Sequence, residues 1–255
     1  MEYELTLLGV SALLVAGLLG GFINTLAGGG SMLTLPALMM LGMPADVANA
    51  TNRVGVFLQC LTGIKGFKDN DRLDTRAIFP IIIPNLMGGI VGSILASYLP
   101  VWVLKPTLLI AMVSMAVIMV AWPAVVAPPE GTAAHRVQDR PLAAVALFVA
   151  GVYGGFVQAG VGFILIAALA GGLRYDLVRS NALKLACTAV FTGVALLVFI
   201  VRDQVLWVPG LILATGTVTG AAISVRFAIK VPQTTLKWIL IVMVSITCGA
   251  ALFFG

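Results

Sequence analysis

Charge is scarce in this chain. Asp, Glu, Lys and Arg together make up 10% of its 255 residues, against roughly 25% in a soluble domain. No polar stretch is long enough to fold alone, so no soluble domain is expected. The three cysteines, Cys60, Cys187 and Cys248, all fall in apolar runs and form no CxxC pair. That argues against a disulfide framework and against a zinc site. The single histidine, His135, sits in a polar link and cannot make a metal cluster by itself. The ten methionines lack metal-binding spacing and read as apolar filling. With no nucleotide-binding motif either, no cofactor and no direct ATP drive are expected.

Hydrophobic residues, by contrast, make up 60% of the chain, and the mean hydropathy is +1.10. This is the composition of an all-α polytopic membrane protein, because backbone groups in lipid must be satisfied within helices. A span needs about 20 mainly apolar residues. Eight such runs are read, at 5–26, 47–66, 77–99, 101–124, 142–159, 182–201, 206–227 and 235–254. The first run follows Met1-Glu2-Tyr3-Glu4, which lacks the positive charge of a signal peptide, so it is read as a retained span. The net charge of +5 is assigned to loops beside anionic headgroups rather than to nucleic-acid binding.

The longest polar link, "APPEGTAAHRVQDRP", bisects the chain. It divides a first repeat, 1–126, from a second, 142–255, with 127–141 between them. The halves match: "GGFIN" at Gly20–Asn24 answers "GGFVQ" at Gly154–Gln158, and "GGGSMLTLPAL" answers "GVGFILIAAL" at Gly160–Leu169. A gap of three or four residues in the second copy is needed to carry the match on to Asp46 and Asp176. In each half a first span leads to a glycine break, then a short apolar piece, then a polar turn.

Glycine permits unusual backbone angles and close approach of a ligand. Gly28, Gly29 and Gly30 are therefore expected to unwind inside the protein, with Ser31 capping a short helix, Met32–Leu41. In the second half, Gly160 and Gly162 open the equivalent piece, Phe163–Leu169. Free N–H groups at such half-helix starts favour anions. Paired broken segments in two halves are the best sequence pointer to a transporter's binding site. The plainer reading, close helix packing through small residues, is preferred for Gly20, Gly88, Gly89, Gly92, Gly216 and Gly220.

A second constellation sets Thr51-Asn52-Arg53 against Asn181-Ala182-Leu183-Lys184. Each base lies at the start of an apolar run. An intramembrane base is costly and points to function, although a base near a helix end can also snorkel to headgroups. The matched pair favours an anion site, with Arg53 and Lys184 approaching a common cavity. Asn24 and Gln158 are matched amides near the breaks, either ligand donors or ties between helices. Asn85 has no partner in the other half and reads as a tie.

These residues resemble the TauE/SafE, or sulfite exporter, family of membrane permeases. The resemblance rests on "GGFINTLAGGGSMLTLPAL", "ANATNRVGVFLQ", "YGGFVQAGVGF", "RSNALK" and the two-fold repeat, and it covers nearly the whole chain. It implies a multi-pass protein of the bacterial cytoplasmic membrane that moves a small anion such as sulfite, sulfoacetate or another sulfonate. The second half departs from the common pattern, with Val161 between its glycines and Ile166 near where the first half has Pro36. The leading expectation is a secondary transporter rather than an enzyme, with a proton or sodium ion as candidate coupling ion and a homo-oligomer compatible with the sequence. A passive anion channel is the alternative. A membrane-embedded enzyme ranks lower, since the one histidine is in a link and Asp46 and Asp176 sit at span ends.

Overall fold

The computed structural model describes residues 6–104, 106–108, 110–111, 114, 128, 132–232 and 235. All regular structure among them is helical. In chain order the helices are α1 (Leu7–Leu26), α2 (Ser31–Met40), α3 (Ala45–Lys68), α4 (Thr75–Tyr98), α5 (Pro141–Phe156), α6 (Val161–Ile166), α7 (Leu177–Val201) and α8 (Trp207–Lys230). α6 runs on into a wider π turn, Ala167–Gly172. The expected span 101–124 is described only in part. The expected span 235–254 lies outside the described residues apart from Thr235.

The starts of these helices follow from local chemistry. Thr6 Oγ1 accepts from Gly9 N–H at 3.1 Å and caps α1. Asp74 caps α4 and Asp176 caps α7, each accepting backbone N–H groups of the first turn. Pro141 opens α5, where its missing N–H has no partner to lose. Six of the eight expected spans coincide with helices, but the ends move. α7 begins five residues before the expected 182, because Asp176 supplies the cap. α5 stops at Phe156, which leaves Gln158 outside any helix.

Four helices, α1, α4, α7 and α8, are long and apolar enough to cross a membrane. Large apolar side chains stand exposed along α1, α4, α5 and α8, among them Leu8, Val15, Phe79, Met87, Leu142 and Trp207. α3 differs. Its only exposed large apolar side chain is Leu61, and its buried face carries Asn49, Thr51, Asn52, Arg53 and Gln59. α3 is therefore a polar helix walled by protein rather than by lipid.

The packing follows a crossed scheme. α1 lies against α8 and α5 against α4, while α3 and α7 meet in the middle and each also leans on the outer helix of the other pair. Small residues set the outer contacts: a Cβ on Gly21 would strike the Thr217 backbone, and one on Gly88 would strike the Phe148 carbonyl. The packing role expected of Gly88, Gly92, Gly216 and Gly220 is what the structure shows. Asn85 Nδ2 donates to the Leu147 carbonyl at 3.2 Å, tying α4 to α5.

Candidate functional site

α1 ends at Leu26, and Ala27–Gly30 are non-helical and buried. Gly28 takes φ +94°, a left-handed value that glycine adopts freely. A new helix starts at Ser31. Ser31 is not its cap, contrary to expectation. Gly30 holds that position without a side-chain bond, and the N–H groups of Met32 and Leu33 fold back on the Gly29 and Gly30 carbonyls at 3.0 Å each. Fewer N–H groups are left to a ligand than four free donors would suggest. Ser31 Oγ instead accepts from Asn52 Nδ2 at 3.3 Å, and Asn52 Oδ1 accepts from Thr34 Oγ1 at 2.7 Å. Asn52 thus holds the first turn of α2 from the side of α3.

The second break is built on a different register from the one expected. Ala27 and Gly28 N–H both donate to the Ile23 carbonyl, while Val157 and Gln158 N–H both donate to the Tyr153 carbonyl. Gly28 is therefore answered by Gln158, itself left-handed at φ +68°, and not by Gly160. Gly30 is answered by Gly160, at φ +77° and at an offset of 130 residues. The offset becomes 132 by Gly42 and Arg174 and stays so at Asp71 and Asp203, all with positive φ. The second copy thus carries two extra residues across its π turn rather than a gap. Asn24 and Gln158 are not equivalents. Asn24 lies in the last turn of α1, whereas Gln158 lies beyond the end of α5. Gly162 falls inside α6 rather than before it. The expected short helix, Phe163–Leu169, is six α-helical residues from Val161 followed by the π turn. The two breaks touch: a Cβ on Gly28 would collide with Gly162 Cα, and the reverse.

Both bases are inside the protein. Arg53 is 0% exposed and Lys184 1%, which removes the snorkelling alternative. Each clasps the helix end of the opposite half. Lys184 Nζ, on α7, donates to the Asn24 and Thr25 carbonyls of α1 at 2.9 Å each and to Asn181 Oδ1 at 2.8 Å. Arg53, on α3, donates from Nη1 to the Gly154 carbonyl and from Nη2 to the Gly155 carbonyl, both at 2.8 Å and both on α5. The last carbonyls of a helix lack intrahelical partners and carry the negative end of its dipole, so a cation there is doubly favoured. The guanidinium also lies 5.2 Å from the centre of the Phe199 ring, within cation–π range.

Two further features of the clasps concern charge and unmet donors. The only ion pair among the described residues is Arg179–Asp176, so neither buried cation has a carboxylate partner there. In addition, Arg53 Nε and Asn181 Nδ2 are buried without an acceptor. A lysine can only donate, so Asn181 must turn its oxygen to Lys184 and its nitrogen is the free end. Arg53 thus has one N–H with nothing to bind, and beside Lys184 stands the unbound NH2 group of Asn181.

Gln158 Nε2 donates to Thr192 Oγ1 at 3.1 Å. Thr51 stands apart from the rest: its hydroxyl accepts from Leu206 N–H at 3.0 Å and secures the start of α8. Sequence reading missed Thr34, Thr192 and Phe199, and above all the carbonyls of Asn24, Thr25, Gly154 and Gly155. A carbonyl has no letter. The available signal was the place of each base on the long helix that follows the break of its own half.

The chain is similar to known proteins over almost its full length. Residues 13–251 match the family model described as sulfite exporter TauE/SafE. A "Probable membrane transporter protein" of Haemophilus influenzae is 24% identical over 246 residues, 95% of this chain and 93% of that protein. The "Probable membrane transporter protein YfcA" of Escherichia coli K12 is 27% identical over 248 residues, 97% of this chain and 90% of that one. "Probable membrane transporter protein ORF9" of a Sinorhizobium species is 23% identical over 233 residues, 91% of this chain and 87% of that protein. With four helices apolar enough to span and a family match across nearly all its length, the chain is a multi-pass membrane protein of the sulfite exporter TauE/SafE family.

Proposed function

We propose that this protein is a secondary transporter that carries a small sulfur-bearing anion, such as sulfite, sulfoacetate or another sulfonate, across the bacterial cytoplasmic membrane. The observation that carries the reading is the pair of buried cations without a carboxylate, one with its own unbound N–H and the other beside an unbound NH2 group. At the two cations the unmet groups are donors, Arg53 Nε and Asn181 Nδ2, and positive charge stands beside each, whereas the unmet acceptors belong to Asp46, Gln59, Asn85, Gln158 and Gln204. An oxyanion satisfies both donors and charge, whereas a neutral acceptor meets the donors but not the charge and a cation meets neither.

In this reading Arg53 meets the anion through Nε. Lys184, whose three protons are already placed, acts through its charge and through Asn181 Nδ2. The breaks at Gly28–Gly30 and Gln158–Gly162, with Asn52 and Ser31 beside them, form the backbone of the site. The eight spans form two repeats, and the crossed clasps join them, since each base holds the end of the other repeat's broken helix. The names of the relatives favour transport, and the family description favours a sulfur oxyanion. A proton or sodium ion supplies the coupling, and the protein acts as a carrier rather than an enzyme.

The test is accumulation in proteoliposomes. Radiolabelled sulfite or a labelled sulfonate should rise inside above its outside concentration when a proton or sodium gradient is imposed. Flux that only equalises the two sides indicates a passive channel instead. No saturable flux of any sulfur oxyanion overturns the reading.

A further inference from the structure

A cavity of about 950 Å³ lies away from the breaks. Its walls come from the segment 132–139, the start of α4 and the start of α7. We propose that this cleft is an anion-collecting antechamber, in which Arg76, Arg136 and Arg179 hold a small oxyanion at the entrance to the buried site. The proposal rests on the transport reading and adds a second, outer binding place to it.

The charges support it. Arg76 and Arg136 line the cleft, and their guanidinium groups have no hydrogen bond or ion pair among the described residues. Arg179 pairs with Asp176 at 3.6 Å on its own helix, and its side chain is half exposed. The carboxylates nearby are committed to other work. Asp74 Oδ1 accepts the Arg76 and Ala77 N–H groups, and its Oδ2 accepts the Tyr175 hydroxyl at 3.4 Å. Asp176 Oδ1 caps α7 through the Arg179 N–H at 2.9 Å. Asp139 is the one lining carboxylate without such a role. Two helix starts, with their positive dipole ends, also face the cleft.

The cleft has a fixed wall. His135 N–H donates to the Leu173 carbonyl at 2.8 Å, and Val137 is packed with Ile81, Leu173 and Tyr175. Arg179, which lines the cleft, and the buried Lys184 stand on the same helix, α7. Arg179 precedes Lys184 by five residues, a rise of about 7.5 Å. Five residues turn the helix about 140° beyond a full turn, so Arg179 faces the cleft while Lys184 faces the interior.

The whole chain in nanodiscs of neutral phosphatidylcholine, and in proteoliposomes, provides the test, with sulfite, methanesulfonate and phosphate as probes. At low ionic strength the double variant Arg76→Gln, Arg136→Gln should raise KM for the transported probe about fivefold, since each exposed pair is worth a few-fold. The maximal rate should stay unchanged, and high salt should abolish the difference. Lys184→Gln should instead weaken saturable binding about tenfold or more at both low and high salt. If the double variant matches the unaltered protein while Lys184→Gln binds more weakly, the antechamber is wrong and the transport reading stands. If the double variant changes only the amount of co-purifying phosphatidylglycerol, the cleft holds a lipid headgroup and the proposal is overturned. If the unaltered protein binds none of the probes, both readings fall.

Discussion

The two breaks share a left-handed turn after the first helix but differ in chemistry and in the next step of the backbone, where Gly30 is right-handed and Gly160 left-handed. The first is made of glycine: Gly28 takes its left-handed angle at no steric cost, and a ten-residue helix follows. The second places Gln158 at the same point of the hydrogen-bond pattern, where a non-glycine residue stores roughly 1–3 kcal/mol of strain. Its side chain returns something by binding Thr192, and the helix after it lasts six residues before widening into a π turn. The clasps differ too. Lysine closes the first break with all its protons used, and arginine closes the second with Nε to spare. The conserved element of the design within this one chain is thus the cation on the helix end, while the residue that turns the backbone is free to vary.

The contact between the breaks gives the largest expected effect. Gly28→Ala and Gly162→Ala each push a methyl into the other break's backbone, and Gly28 also needs a left-handed angle. A loss of at least about 2–3 kcal/mol is expected, read as loss of monodisperse protein after detergent extraction. Normal yield from both variants would show that the breaks do not meet.

The clasps come next. Lys184→Met and Arg53→Met keep bulk but leave two helix-end carbonyls without donors, for about 3 kcal/mol or more. Lys184→Arg should recover part of the loss and Arg53→Lys less, since one ammonium cannot repeat the two-pronged grip on Gly154 and Gly155. Thermal unfolding in detergent ranks the four variants, and an equal ranking of the two conservative swaps would break the comparison. Asn52→Ala frees Ser31 and Thr34 from α3 and should cost about 1–3 kcal/mol.

Tyr175 gives a pH-dependent effect outside the spans. Its phenol is pushed up to about 12 by burial and by the neighbouring Asp74. Its folded-state pKa therefore lies above the unfolded value of about 10. The stability it contributes is complete below pH ~10 and is lost as pH rises towards ~12. Tyr175→Phe should flatten that alkaline fall in the melting temperature. The smallest effect is expected from Gln158→Gly, which relieves strain while losing the Thr192 bond, and should leave the melting temperature within a few degrees of the unaltered protein.

Much of the helical layout was legible because long apolar runs and proline or aspartate starts act locally. The break at Gly28–Gly30 was legible for the same reason, since three glycines have few other uses inside an apolar run. The second break was misplaced because letters were matched instead of angles. "GGFVQ" looks like "GGFIN", yet Gln158 occupies the backbone role of Gly28, and nothing in its side chain announces a positive φ. Arg53 and Lys184 were found as a pair, but their acceptors were not, since main-chain carbonyls from the other half carry no sequence signal. Ser31 was misread as a cap because its true partner, Asn52, lies on another helix.

The most direct test of the central claim is the affinity of sulfite or methanesulfonate for the protein in neutral nanodiscs, measured for Arg53→Gln and Lys184→Gln beside Arg72→Gln in the polar loop between α3 and α4. Loss of a charge-assisted contact predicts binding weaker by about tenfold or more for each of the first two, in protein that still inserts and runs as one species, with no change for Arg72→Gln. Undiminished binding by folded Arg53→Gln and Lys184→Gln would place the anion elsewhere and leave the two buried bases as clamps alone.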